Sequence, residues 1–293
     1  MNWQGVIPAI TTPFREDLSV DHDFLAKHAS WMIDNGCTGI VALGSLGEGA
    51  TLEFDEKIDV LRTCVRAVRV PVAAAISALS TAAAVRLAKK VEEAGCSGLM
   101  VLPPYVYSSD WREMKAHVTA VLRATSLSCM LYNNPIAYRT DFLPEQIAEL
   151  ASEHATLHAV KESAADVRRI AAIRERIGQR LAIFVGVDDL IVEGISAGAV
   201  GWIAGLVNAL PRESAVLFER ATRGENVFEL YRWFLPLLRL DTVPKFVQLI
   251  KLVQAEVGMG SERVRPPRLE LDGSERQSAL GVIRSALSSR PQV

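Results

Sequence analysis

Cysteine is sparse in this 293-residue chain. Cys37, Cys64, Cys96 and Cys129 stand apart among apolar neighbours, with no Cys-x-x-Cys pair and no histidine cluster beside them. This pattern excludes a disulfide framework and favours small core residues in a reducing compartment over a catalytic thiol. No His or Cys pair lies at ligand spacing, so no metal is expected. An excess of one charge is also lacking. Lys and Arg number 32 against 34 Asp and Glu, a formal net charge of −2. No nucleic acid or membrane surface is therefore expected as a partner. No apolar run reaches membrane-spanning length, and Met1-Asn2-Trp3-Gln4-Gly5 lacks the charged start and apolar stretch of a signal peptide. Cytoplasm is the expected location.

What the chain has is apolar residues, 49% of the total, in a repeating arrangement. Short runs rich in β-branched residues recur at 5–11, 39–43, 70–76, 98–102, 127–132, 157–161, 181–186 and 199–203. Such runs suit strands buried on both faces. Segments of helical period lie between them. One spans 21–35 and stops at Gly36, another starts near Glu53, and a third has Ser80 or Thr81 as N-cap and closes at Gly95. Asp110, Pro144, Asp166 and Asp188 mark further helix starts. Eight strand–helix units predict a (β/α)8 TIM barrel over residues 1–223. A Rossmann sheet would need a glycine fingerprint where Ile10-Thr11-Thr12-Pro13 stands. Residues 224–293 read as a C-terminal helical extension packed on the barrel. The segment 262–270, with Pro266-Pro267, is expected to be a solvated turn.

In a barrel the chemistry lies at the C-terminal ends of the strands. The sixth run, Leu157-His158-Ala159-Val160, leads straight into Lys161. A buried lysine loses its charge more easily, which suits attack on a carbonyl to form a Schiff base. The alternative is a lysine snorkelling to water. Parity places Lys161 on the face of Ala159 and Leu157, and predicts His158 as a satisfied core histidine on the other. Tyr132 ends the preceding strand and is either a proton relay or an amphipathic residue with a wetted hydroxyl. The loop Gly44-Ser45-Leu46-Gly47-Glu48-Gly49 could turn successive N–H groups toward a carboxylate, or be an ordinary turn. Thr11-Thr12 and Asp188-Asp189 end two further strands. The two aspartates either cap a helix or accept substrate hydroxyl or amine hydrogens.

Together these residues resemble the dihydrodipicolinate synthase / N-acetylneuraminate lyase family over essentially the whole chain. The resemblance rests on G-[ST]-x-G-E at 44–48, Y-N-x-P at 132–135, K-E at 161–162 and Gly198-Ala199-Val200-Gly201-Trp202-Ile203-Ala204. It implies Lys161 as the Schiff-base lysine and Tyr132 as the proton-relaying tyrosine. Ser45 and the Leu46 backbone would bind a 2-oxo acid carboxylate, with Ile203 near the lysine. Gly47, Thr11 and Asp188 are further candidate substrate contacts from their place at the strand ends. No cofactor and a homotetramer are implied.

Departures from the synthase pattern point to a subgroup. Ser45-Leu46 stands for two threonines, Tyr105-Val106 for a tyrosine pair, and Ile136-Ala137 for a carboxylate-binding arginine, with Arg139 displaced. The run 132–138 with the glycine loop is most similar to 1-pyrroline-4-hydroxy-2-carboxylate deaminases. By that resemblance the chain would convert its cyclic imino acid to 2-oxoglutarate semialdehyde and ammonia. The alternatives are a 2-keto-3-deoxy sugar acid dehydratase or aldolase, dihydrodipicolinate synthase itself, and an inactive homologue that binds a 2-oxo acid.

Overall fold

A computed structural model describes residues 1–104 and 110–293. Eight parallel strands form one sheet: β1 (Gly5–Pro8), β2 (Ile40–Ala42), β3 (Val72–Ile76), β4 (Gly98–Val101), β5 (Ser128–Asn133), β6 (Leu157–Glu162), β7 (Ala182–Val185) and β8 (Gly201–Ala204). Each lies on one of the apolar runs, and β5 and β6 continue one residue past the end of theirs. β1 pairs with β8 in register Gly5↔Gly201. The sheet closes between β1 and β2 through Thr38 N–H to Val6 O at 2.9 Å and Ile10 N–H to Val41 O at 3.0 Å. The result is a TIM barrel.

The helices are α1 (His22–Asp34), α2 (Phe54–Ala67), α3 (Thr81–Glu93), α4 (Trp111–Leu122), α5 (Pro135–Tyr138), α6 (Pro144–Glu153), α7 (Arg168–Ile177), α8 (Ile191–Ser196) and α9 (Pro211–Thr222). Local chemistry sets their starts. The side chains of Asp21, Ser80 and Asp110 accept backbone N–H groups at three N-termini, and Glu53 with Glu56 forms a capping box. Pro144 opens α6 with its missing N–H at no cost. Asp166 instead holds Arg168, so α7 begins two residues late.

Trp202, Phe184, Leu99 and Ile7 are among the large side chains sealed in the core, each worth about 1.5–3 kcal/mol relative to exposure. All four cysteines are buried and unpaired, and burial pushes their thiols up to about 12. Among the described residues no helix is long and apolar enough to cross a membrane.

Helices α10 (Phe228–Leu238), α11 (Phe246–Glu256) and α12 (Gly273–Ser288) follow the barrel. The segment 262–270 bears out the solvated turn at Pro266-Pro267, which is exposed, and corrects it at Arg265. Arg265 grips Glu56 at 2.7 and 2.9 Å and bonds to Leu18 O and Thr51 O, so its charges are spent on the barrel rather than on water. His158 also departs from expectation. It is exposed and contacts Ser128 Oγ at 2.9 Å, because it sits at the open N-terminal rim where a strand has no helix over it.

Candidate active site

The register of β5 against β6 builds the centre of the site. Tyr132 pairs with Lys161 and Asn133 with Glu162. Alternation along a strand then sends each pair to opposite faces. Lys161 and Tyr132 face the cavity at the barrel mouth, with Lys161 Nζ 4.1 Å from the Tyr132 ring centre. Asn133 and Glu162 face outward and bond to each other at 3.1–3.2 Å. Asn133 also meets Asp141 and the Phe142 N–H, and Arg169 lies 3.5 Å from Glu162. The outer pair thus clamps the two strands that carry the inner pair.

Lys161 is only 6% exposed. It has no hydrogen bond or ion pair with any described residue. Burial drives its pKa down from the ordinary lysine range, against the charges of Asp241, Tyr138 and Asp188. Gly186, just beyond β7, gives the side chain its room. A Cβ there would lie 2.4 Å from Lys161 Cε and 2.0 Å from Ser163 Oγ. Tyr132 accepts a hydrogen bond from Asn134 Nδ2 at 3.0 Å, and burial raises its pKa. Tyr138 ends α5, meets the Tyr132 ring edge-on at 5.7 Å and hydrogen-bonds Ser45 Oγ.

Ser45 and Leu46 line the same cavity. The Leu46 N–H donates to no described residue, which leaves it available to an anion in the cavity. Gly49 lets the loop fold tightly, since a Cβ there would fall 2.1 Å from Leu43 O. Glu48 takes a left-handed φ of 52° and turns its carboxylate away from the cavity. There it meets Lys251 of α11 at 2.6 Å and the Arg265 N–H at 3.0 Å. Thr12 Oγ1 donates to Gly47 O at 2.6 Å. The C-terminal extension therefore fixes the loop.

Of the expected site residues, Lys161, Tyr132, Ser45, Leu46 and Ile203 line one cavity of about 550 Å³, a size suited to a small ligand. Two do not line it and are corrected. Thr11 is buried, its hydroxyl donating to Gln254 Oε1 at 3.0 Å and its N–H to Asn208 Oδ1. Asp188 is fully buried and neither caps α8 nor reaches the cavity. Its carboxyl accepts Trp202 Nε1, Gly205 N–H and Leu206 N–H at 2.8–3.1 Å. It is a brace for the loop after β8. Burial nevertheless pushes it up to about 6. Gly47 contributes backbone to the loop without lining the cavity, and Tyr105-Val106 lies outside the described residues. Asp241 and Ser163 also line the cavity. Ser163 was legible as the residue after K-E, whereas no local pattern marked Asp241.

A closed parallel barrel with a buried lysine, unpaired among the described residues, and an adjacent phenol at its C-terminal mouth defines an enzyme-like site for small molecules. The profile of the Dihydrodipicolinate synthetase family matches residues 2–286. The chain belongs to that family and is a lyase of its kind. It is 30% identical over 289 residues to 4-hydroxy-tetrahydrodipicolinate synthase of Pelobacter propionicus, covering 97% of this chain and 98% of the relative. The Chelativorans protein of the same name is 34% identical over 226 residues, 76% of this chain and 77% of its own. Among solved structures, dihydrodipicolinate synthase from Bacillus anthracis superposes with a TM-score of 0.93 at 27% identity, covering all of both chains. That from Aquifex aeolicus gives 0.92 at 28% identity over 97% of this chain and 98% of its own.

Proposed function

We propose that the chain is a Schiff-base lyase of small 2-oxo acids, with Lys161 as the nucleophile. One observation carries this reading: an amine buried at a strand end, facing the cavity, with no partner among the described residues to hold its proton. The substrate carboxylate binds Ser45 Oγ and the Leu46 N–H, which fixes C2 against Nζ. Attack by the neutral amine gives a carbinolamine, with Tyr132 relaying a proton from nitrogen to oxygen. Loss of water leaves an iminium, whose cation acidifies the hydrogen on C3. The homotetramer belongs to this same proposal.

The names of the curated relatives favour synthase chemistry, in which the resulting enamine adds to an amino-aldehyde. A second reading, deamination of 4-hydroxy-1-pyrroline-2-carboxylate, is favoured by Ile136 and Ala137. They line the cavity where the synthase pattern has its carboxylate-binding arginine, and Arg139 does not line it. The test is to offer pyruvate with an amino-aldehyde, 4-hydroxy-1-pyrroline-2-carboxylate, and 2-keto-3-deoxy acids in parallel. Condensation product, ammonia or pyruvate then identifies the reaction. Borohydride should fix the substrate carbon on Lys161 in each productive case. Lys161→Ala is expected to lower turnover by at least ~10³-fold, and full turnover by that variant would overturn the proposal.

A further inference from the structure

Asp241 ends the short turn Arg239–Asp241 between α10 and α11 and reaches the cavity that holds Lys161. Gly205 at the mouth of β8 admits it, because a Cβ there would lie 2.0 Å from Asp241 Oδ1. Among the described residues the carboxyl has no hydrogen bond and no cation within ion-pair distance. Asp188, the other carboxyl acting on Lys161, has its lone pairs taken by three N–H groups. Of the two, Asp241 alone is available to react. We propose that Asp241 is the acid and counter-ion of the Schiff base, holding a proton while Lys161 is neutral and giving it to the hydroxyl that leaves C2.

This inference rests on Lys161 forming the adduct. Tyr132 supplies the first proton transfer, from nitrogen to the oxygen that becomes the carbinolamine hydroxyl. Asp241 supplies the second. Its O–H breaks, an O–H forms on the leaving group, the C2–O bond breaks as water departs, and the nitrogen lone pair closes C2=N. An iminium on Lys161 and a carboxylate on Asp241 then appear together, so the pair is neutral overall before and after. A poorly solvated site tolerates an opposed pair far better than one isolated charge. The groups facing Asp241 fit this order. Burial and the charge of Asp188 hold its pKa well above the carboxyl range, with Asp189 adding to them and Lys161 opposing.

The test uses pyruvate and cyanoborohydride, following reduced adduct on Lys161 by intact-protein mass. Asp241→Asn should label at least ~100-fold more slowly, as expected for loss of a general acid, while half-saturating pyruvate changes less than about threefold. Asp241→Glu should recover at least about tenfold of the loss. Gly205→Ala keeps the carboxyl but displaces it, and should slow labelling alike with a melting temperature near that of the parent. Labelling of Asp241→Asn within about threefold of the parent would overturn the role of Asp241 alone. A parent protein that does not label at all would overturn the Schiff-base reading beneath it.

Discussion

Lys161 and Lys251 are both buried lysines whose pKa burial lowers, yet they occupy opposite chemical situations. Lys251 Nζ donates to Glu48 Oε1 at 2.6 Å, Thr12 O at 2.9 Å and Arg263 O at 2.6 Å. Its three hydrogens are fully used and its charge has a carboxylate against it. Lys161 has a ring face and a cavity. Burial therefore does not distinguish a reactive lysine from a structural one. What distinguishes them is whether the surroundings supply acceptors for an ammonium. The two are linked in purpose, because Lys251 pins the glycine loop that would hold a substrate against Lys161.

The comparison is broken most severely by emptying the structural side. Lys251→Met leaves the buried Glu48 carboxylate with only the more distant Arg268, at 3.9 Å, a defect close to the broken buried pair that typically costs about 3–5 kcal/mol. Thermal or urea unfolding should show that loss. Changing both partners, in Glu48→Gln with Lys251→Met, should restore part of it. If Lys251→Met unfolds like the parent, the pair is not the strut described here. Lys161→Met is expected to do the reverse, removing an amine that no described residue holds. Stability should be unchanged or raised while activity disappears.

Gly186→Ala sharpens the reactive side without touching its chemistry. The new Cβ must displace Lys161 Cε, 2.4 Å away, and Ser163 Oγ, 2.0 Å away. A displacement of about 1 Å at a reacting group costs on the order of 10²-fold in rate. The expected outcome is a kcat lowered by about that factor, with adduct formation slowed in parallel. A rate within a factor of about three of the parent would show that Lys161 is seated by something other than the space at Gly186.

The two lysines also mark where sequence reading succeeds. Lys161 was legible because a β-branched run ended in it, and one strand's parity then assigned its face. The eight strands were legible for the same reason, and Tyr132 came with them. Asp241 was not legible, since it approaches β8 through a turn between two helices some 36 residues further along the chain. Thr11 and Asp188 sit at the correct strand ends, but their hydrogen bonds run to Gln254 and Gly205, partners that only tertiary packing supplies. Arg265 failed for the same cause. A charged segment can be read as solvated until its carboxylates arrive from elsewhere in the fold.

The smallest expected effect is a shift in pH dependence. Only the neutral amine of Lys161 attacks, so kcat/KM should fall about tenfold per pH unit below its folded pKa. Burial has lowered that pKa, which moves the limb toward neutrality from the ordinary lysine value. Folding disfavours the ammonium, so this group's contribution to stability rises with pH between the folded and unfolded values. Asp188 favours the ammonium whenever it is ionised, above about 6. Asp188→Asn should therefore move the limb to lower pH, whereas a change outside the cavity lining, such as Glu219→Gln on α9, which pairs with Arg223, should leave it in place. A limb that responds to neither substitution would mean that the titrating group is not Lys161, and the contrast between the two lysines would then rest on structure alone.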